Sequence, residues 1–401
     1  MRYILMHKEI PVCLFDIESE VTGAVFSKAG VDHLPLPLKR VIHFPEEFAE
    51  EETSDSIVLN EEGVMLLDLW LNDRTIPANR DNIRKYYSRK YNSLTWMLEN
   101  HSCSLDDCYW TKRSDEKVTW ETVKLFDNDC IDVLYLENLS EDQERHYSGV
   151  NATLGGQLEK YWYYEIAEGK KKLFLCKRTD HLSEILNIRE VIAAKIYHQA
   201  ADIEYCTYTY VRNHLGQIAG CSCPAFTAED KELITAYDLL EEYGLTQQDD
   251  VYELIIRCAG LYGLDEETAR RYLDSQTMVD YLITNRDRHQ GNIGFLRNTD
   301  TLKLIAAAPV YDSGSSKEKE FELPEGIMQT TVNGLYPTEL ECLSHVRDYD
   351  GIDLDRLPSK EEILEELKQS SALSESRILQ LADLYEGKAA YLRSLREEKR
   401  H

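Results

Sequence analysis

Two runs decide how the chain is read: Met278-Val279-Asp280-Tyr281-Leu282-Ile283-Thr284-Asn285-Arg286-Asp287-Arg288-His289-Gln290-Gly291-Asn292-Ile293-Gly294-Phe295 and, after a short insert, Ala308-Pro309-Val310-Tyr311-Asp312-Ser313-Gly314-Ser315-Ser316. An aspartate, Asp287, is followed at a fixed interval by Asn292, then by a strand-like run and a second aspartate, Asp312, ahead of a glycine. That order suits phosphoryl transfer. One carboxylate takes the proton of an acceptor hydroxyl, the asparagine oxygen binds magnesium, and the second carboxylate holds magnesium against nucleotide phosphates.

The order Asp-Arg-His-x-x-Asn departs from the usual protein-kinase loop, in which the histidine and arginine precede the aspartate. It is the order of phosphoinositide-type lipid kinases and of HipA-like kinases. Asn285-Arg286-Asp287-Arg288-His289 with Gly291-Asn292-Ile293-Gly294-Phe295, and then Val310-Tyr311-Asp312-Ser313-Gly314, resembles the HipA-like family. The resemblance implies an α+β, protein-kinase-like two-lobed fold, with a β-rich small lobe and a mainly helical large lobe behind an N-terminal accessory α+β domain. The expected division is 1–145 for the accessory domain, 146–226 for the small lobe, and 227–401 for the large lobe with C-terminal helices.

Length and composition agree with a globular enzyme of that size: 401 residues, 43% hydrophobic. No window approaches the eighteen or so apolar residues of a membrane span, and the start Met1-Arg2-Tyr3-Ile4-Leu5-Met6-His7-Lys8 meets charge too early for a signal peptide. A soluble, cytoplasmic protein without membrane contact is expected. The ten cysteines are scattered without a paired framework, and neither Cys221-Ser222-Cys223 nor Cys103 with Cys108 has a second pair at zinc-site spacing. A structural metal is not expected. The formal charge of −28 opposes broad contact with nucleic-acid phosphate, so direct nucleic-acid binding is not expected, whereas a basic protein partner suits such a surface.

Upstream, Tyr3–Met6 and Val12–Phe15 read as strands and Val64–Leu71 as a helix. Residues 72–83, with Ser104–Trp110 and Thr119–Glu121, are similar to the region HipA-like proteins carry ahead of their kinase core. Trp70, Trp96, Trp110 and Trp120 are expected to pack one small core, and Arg74 and Arg80 to form ordinary salt bridges rather than reach the cleft.

The kinase core is expected to begin at Val150-Asn151-Ala152-Thr153-Leu154-Gly155-Gly156-Gln157, where glycines would let backbone N–H groups approach phosphate. Paired strands at Tyr161–Ile166 and Leu173–Lys177 follow, then an amphipathic helix over Leu186–Tyr197. Lys177 ends its strand, and Glu190 on that helix is its expected partner, with Lys172 and Glu184 as alternates. Tyr205–Arg212 and Gln217–Cys223 read as a hairpin, Pro224–Asp230 as a hinge, and Glu232–Leu240 as the helix after it. The C-terminal helices, around 361–367 and 378–385, are expected on the large lobe.

What the resemblance implies for chemistry is specific. Thr153, Gly155 and Gly156 would meet the phosphates of ATP, Lys177 held by Glu190 would neutralise them, and Asn292 and Asp312 would hold Mg2+. Asp287 would deprotonate the acceptor hydroxyl, with Arg288 or His289 buttressing the loop or touching the moving phosphoryl group. Toxins of the family carry a serine in the glycine loop whose phosphorylation shuts the enzyme off; Thr153 is the hydroxyl nearest that position here. A protein substrate is expected, with an antitoxin-type protein as a possible partner. A small-molecule or lipid kinase, and a non-catalytic nucleotide-binding module, are the competing readings; the set Lys177, Asp287, Asn292 and Asp312 argues against the second.

Overall fold

A computed structural model describes residues 1–75, 93–126, 160–167, 170–178, 184–314 and 331–400. The first sheet has six antiparallel strands in the order β4-β5-β3-β2-β1-β6, built from β1 (Arg2–His7), β2 (Ile10–Ile17), β3 (Val21–Ser27), β4 (Ala49–Glu52), β5 (Ser56–Leu59) and β6 (Tyr109–Arg113). Helix α1 (Glu61–Asp73) packs on it, started by Asn60, whose side chain accepts from Gly63 N at 3.0 Å, with Glu61 and Glu62 at the positive end of the helix dipole.

The tryptophans do not form one core. Tyr109 faces the cluster under α1, whereas its neighbour Trp110 packs with Trp120 and with Trp162 in the next sheet. Successive side chains of a strand point to opposite faces, so β6 divides its aromatics between two cores.

The second sheet, in the order β7-β8-β10-β9, comprises β7 (Lys160–Ala167), β8 (Lys170–Arg178), β9 (Thr209–Arg212) and β10 (Ile218–Pro224). The long helix α2 (Glu184–Ala200) crosses between β8 and β9 in the chain. Its Ile188, Ile192 and Ile196 join the largest core, together with Met278, Val279 and Leu282 from the helical region beyond.

Residues 232–235 are a strand, not the start of a helix. β11 (Lys231–Thr235) pairs with β12 (Gly294–Asn298), which pairs with β13 (Leu304–Ala307). A short apolar run fits either period until its partner is known. The helix begins only at Ala236: Thr235 and Asp238 cap α3 (Ala236–Glu241) reciprocally. Then follow α4 (Val251–Leu261), α5 (Glu266–Ile283), α6 (Glu339–Ser344), α7 (Lys360–Leu367) and α8 (Glu375–Arg400).

One of the two C-terminal helices departs from expectation. α8 packs on α5, as expected, whereas α7 packs on α2 as well as on α8. Lys195 and Gln199 of α2 bond Glu366 and Glu362 at 3.2 and 3.0 Å, and Tyr210 donates to Glu366 at 3.1 Å. The polar face of α7 thus finds its partners on α2 and β9, which periodicity alone does not reveal.

Candidate active site

Lys177 lies on β8 opposite Cys221 of β10 and is buried. Its Nζ donates to Glu190 Oε1 at 2.5 Å and to Asp312 Oδ1 at 2.6 Å, over the ring of Tyr208 at 5.1 Å. Burial works against the Lys177 ammonium, but Asp312 and Glu190 outweigh it and hold its pKa well above the usual lysine value. Burial likewise opposes the Asp312 carboxylate, yet Lys177 and Lys160 bring its pKa below the ordinary range. Lys177 and Asp312 are therefore both charged at neutral pH.

Glu190 does more than hold the lysine. Its other oxygen accepts from Ser313 N at 2.9 Å, so one carboxylate of α2 ties β8 to the residue after Asp312. The chain passes close to α2 here: a Cβ on Gly314 would sit 2.7 Å from Leu186 O, which explains the glycine. Asp312 itself has φ +53°, in the left-handed region that aspartate tolerates better than most side chains.

The alternates are placed elsewhere. Lys172 is exposed, opposite Glu165 in the hairpin register. Glu184 is buried against the C-terminal turn, accepting from Ser370 Oγ at 2.6 Å and from Ala372 N at 2.6 Å. Arg74 pairs with Asp107, as an ordinary salt bridge. Thr153, Gly155, Gly156 and Arg80 lie outside the described residues.

The loop carrying Asp287 is held from below by a buried pair: Arg288, expected as a buttress, and Asp280, which had no expected role. Arg288 Nε donates to Asp280 Oδ2 at 2.7 Å, and its Nη1 to Asn292 O and Tyr311 O, each at 2.6 Å. Arg288 Nη2 also reaches Ser313 Oγ at 3.1 Å. One guanidinium thus fixes the Asn292 end of the loop relative to the Asp312 segment, a task for Arg's rigid fork of donors. Asp280 sits in the last turn of α5, where the helix dipole disfavours a negative charge. An aspartate within the apolar last turns of that helix, Met278–Ile283, was the available signal.

Asp287 is fixed through three asparagines. Its backbone N–H donates to Asn285 Oδ1 at 3.2 Å, its carbonyl accepts from Asn292 Nδ2 at 2.8 Å, and its Oδ1 accepts from Asn333 Nδ2 at 2.7 Å. Asn285 and Asn333 carried no role in the sequence reading. His289 Nδ1 accepts from Gly291 N at 3.1 Å and so caps its own short turn, leaving Arg288 as the buttress.

The expected hinge is tied to the N-terminal region. Thr227 Oγ1 donates to Leu105 O at 2.6 Å, and the Glu229 carboxylate accepts from Trp120 Nε1 at 2.8 Å and Lys124 Nζ at 2.9 Å. Beside it, Glu232 and Arg297 pair at 2.8 Å, with His7 Nε2 of β1 at 3.5 Å and Tyr109 Oη of β6 at 3.0 Å completing the seam.

Asn292 and Asp312 present an amide oxygen and a carboxylate, hard donors of the kind Mg2+ prefers. Among the described residues no cluster of three or more His, Cys, Asp or Glu could hold a metal, and no helix is long and apolar enough to cross a membrane.

No family model matches the chain, and no curated protein matches its sequence. Among solved structures it is similar to HipA of Shewanella oneidensis MR-1, solved with HipB and its operator DNA, at TM-score 0.46 and 10% identity over 98% of this chain and 99% of that one. It is also similar to the Helicobacter pylori proinflammatory kinase CtkA, at TM-score 0.41 and 16% identity over 57% of this chain and 89% of that one. Both TM-scores lie below 0.5, so what the chain does is read from its own residues.

Proposed function

We propose that the chain transfers the γ-phosphoryl group of ATP to a serine or threonine hydroxyl of a protein. The observation that carries this reading is the contact of Lys177 with both Glu190 and Asp312, at 2.5 and 2.6 Å, beside a loop that Arg288 locks to the Asp312 segment. Lys177 would neutralise nucleotide phosphate, and Glu190 would orient it. Asn292 and Asp312 would hold Mg2+, which when bound supplies positive charge to the transferring phosphate. Asp287 would accept the acceptor's proton as the new O–P bond forms and the bond to the bridging oxygen of ADP breaks. Arg288 acts through the loop and not on the phosphate, because its nitrogens are engaged with Asp280, Asn292, Tyr311 and Ser313.

A protein partner of the antitoxin kind is part of this reading, drawn from the loop motifs; the acidic surface, with net charge −28, suits a basic one. The test is transfer from radiolabelled ATP to proteins of a whole-cell lysate. Asp287→Ala and Asp312→Ala are each expected to lower the rate about a thousandfold or more, some 4 kcal/mol of barrier, with the circular dichroism spectrum unchanged. Either variant retaining near wild-type transfer would reject the assignment.

A further inference from the structure

The contact between Asn333 and Asp287 joins the loop to a segment far along the chain, and its support is rigid. Thr331 bridges to Thr338, and Val332 N donates to Pro337 O at 2.9 Å, so 331–338 forms a closed turn. Within it Tyr336 stacks on His345 at 4.0 Å and 5°, and its hydroxyl accepts from Tyr252 N at 3.3 Å. Thr338 then caps α6 through Glu341. The turn is fastened to α4, to α6 and to the residue after α6.

From that base Asn333 reaches the loop twice. Its backbone N–H donates to Arg286 O at 2.7 Å and its side-chain Nδ2 to Asp287 Oδ1 at 2.7 Å. Asn285 and Asn292 hold only the Asp287 backbone, at 3.2 and 2.8 Å, so neither sets the torsion of its carboxylate. Asn333 does act on the carboxylate. Asn333 itself is exposed.

We infer that Asn333 is a positioning residue for the transfer, setting the carboxylate of Asp287 toward the acceptor hydroxyl. This rests on the proposed role of Asp287. A rigid turn bonded through both backbone and side chain suits a fixed support rather than a plug that must swing away. A donor on one carboxylate oxygen restricts rotation about the bond to that group, and orientation of a base within about 10–20° is what a reacting site needs.

The purified chain is tested with radiolabelled MgATP and a fixed amount of the lysate proteins, reading label transfer, beside wild type and Asp287→Ala. Asn333→Ala is expected to lower kcat about tenfold while the KM for ATP stays within about twofold and the thermal midpoint is unchanged. Asn333→Asp, near-isosteric but without the donor and with a like charge, should lose at least as much. Asn333→Gln, which keeps the amide donor, should recover much of the rate. An Asn333→Ala protein as fast as or faster than wild type, beside an inactive Asp287→Ala, would overturn the positioning role alone. A loss that tracks lost thermal stability, with no recovery in Asn333→Gln, would also overturn it. A wild type no faster than Asp287→Ala would overturn the base assignment and this role with it.

Discussion

Two buried ion-pair networks invite comparison. Lys177 with Glu190 and Asp312 closes the candidate active site; Glu232 with Arg297, His7 and Tyr109 closes the seam between the six-stranded sheet and β11–β12. Each takes charge out of water, which costs several kcal/mol per ion before the pairing offsets it. They differ in access. Glu232 and Arg297 side chains are both 0% exposed, whereas Asp312 is 32% exposed while Lys177 is 4%. A sealed network can only hold parts together; one open at a carboxylate can exchange partners with a ligand. A buried ion pair by itself therefore says little about chemistry, and the open edge says more.

The largest expected effect breaks the sealed network. Arg297→Ala leaves the Glu232 carboxylate buried without its arginine, and unfolding by urea should show a loss of about 3–5 kcal/mol. Replacing both partners by apolar residues, Glu232→Leu with Arg297→Met, should return stability to within about 1–2 kcal/mol and leave MgATP kinetics nearly unchanged. If Arg297→Ala changed turnover without changing stability, the two networks would not be distinct in kind.

Breaking the open network should do the reverse. Lys177→Ala is expected to reduce kcat/KM for MgATP about a hundredfold, near 2.7 kcal/mol, and Glu190→Ala about tenfold, because Glu190 works through the lysine. Equal losses in the two variants would show that Glu190 has a part beyond orientation, through its bond to Ser313 N.

The smallest signal is confined to acid. Burial would raise the Glu232 carboxyl, but Arg297 and His7 hold its pKa down to about 2, against an ordinary 4.5. A depressed carboxyl contributes stability above its unfolded pKa and loses it as pH falls toward the folded value. The contribution should be complete above about pH 4.5 and fade between there and about pH 2. Glu232→Gln should flatten that part of the stability curve; an unchanged slope would mean the pair does not depress Glu232.

The sequence by itself determined the local patterns. Asp287 and Asn292 could be proposed as one site from their short spacing, with Asp312 following after a strand-like run, and Lys177 could be paired with Glu190, as the 2.5 Å contact has it, because a strand lysine followed by an amphipathic helix is a local pattern. The first hairpin, α1, α2 and the helical run before Asp287 were legible for the same reason, each carrying its own period. Tertiary structure decided everything that depends on a partner distant in the chain. The strand at 231–235 needs β12, α7 needs the polar face of α2, and β6 divides its aromatics only once both its faces are covered. Asn333 reaches Asp287 across 46 positions, and Asp280 matters only because Arg288 folds back over it. Spacing along the chain can propose which groups share a site; which donor faces which carboxylate is settled only by packing.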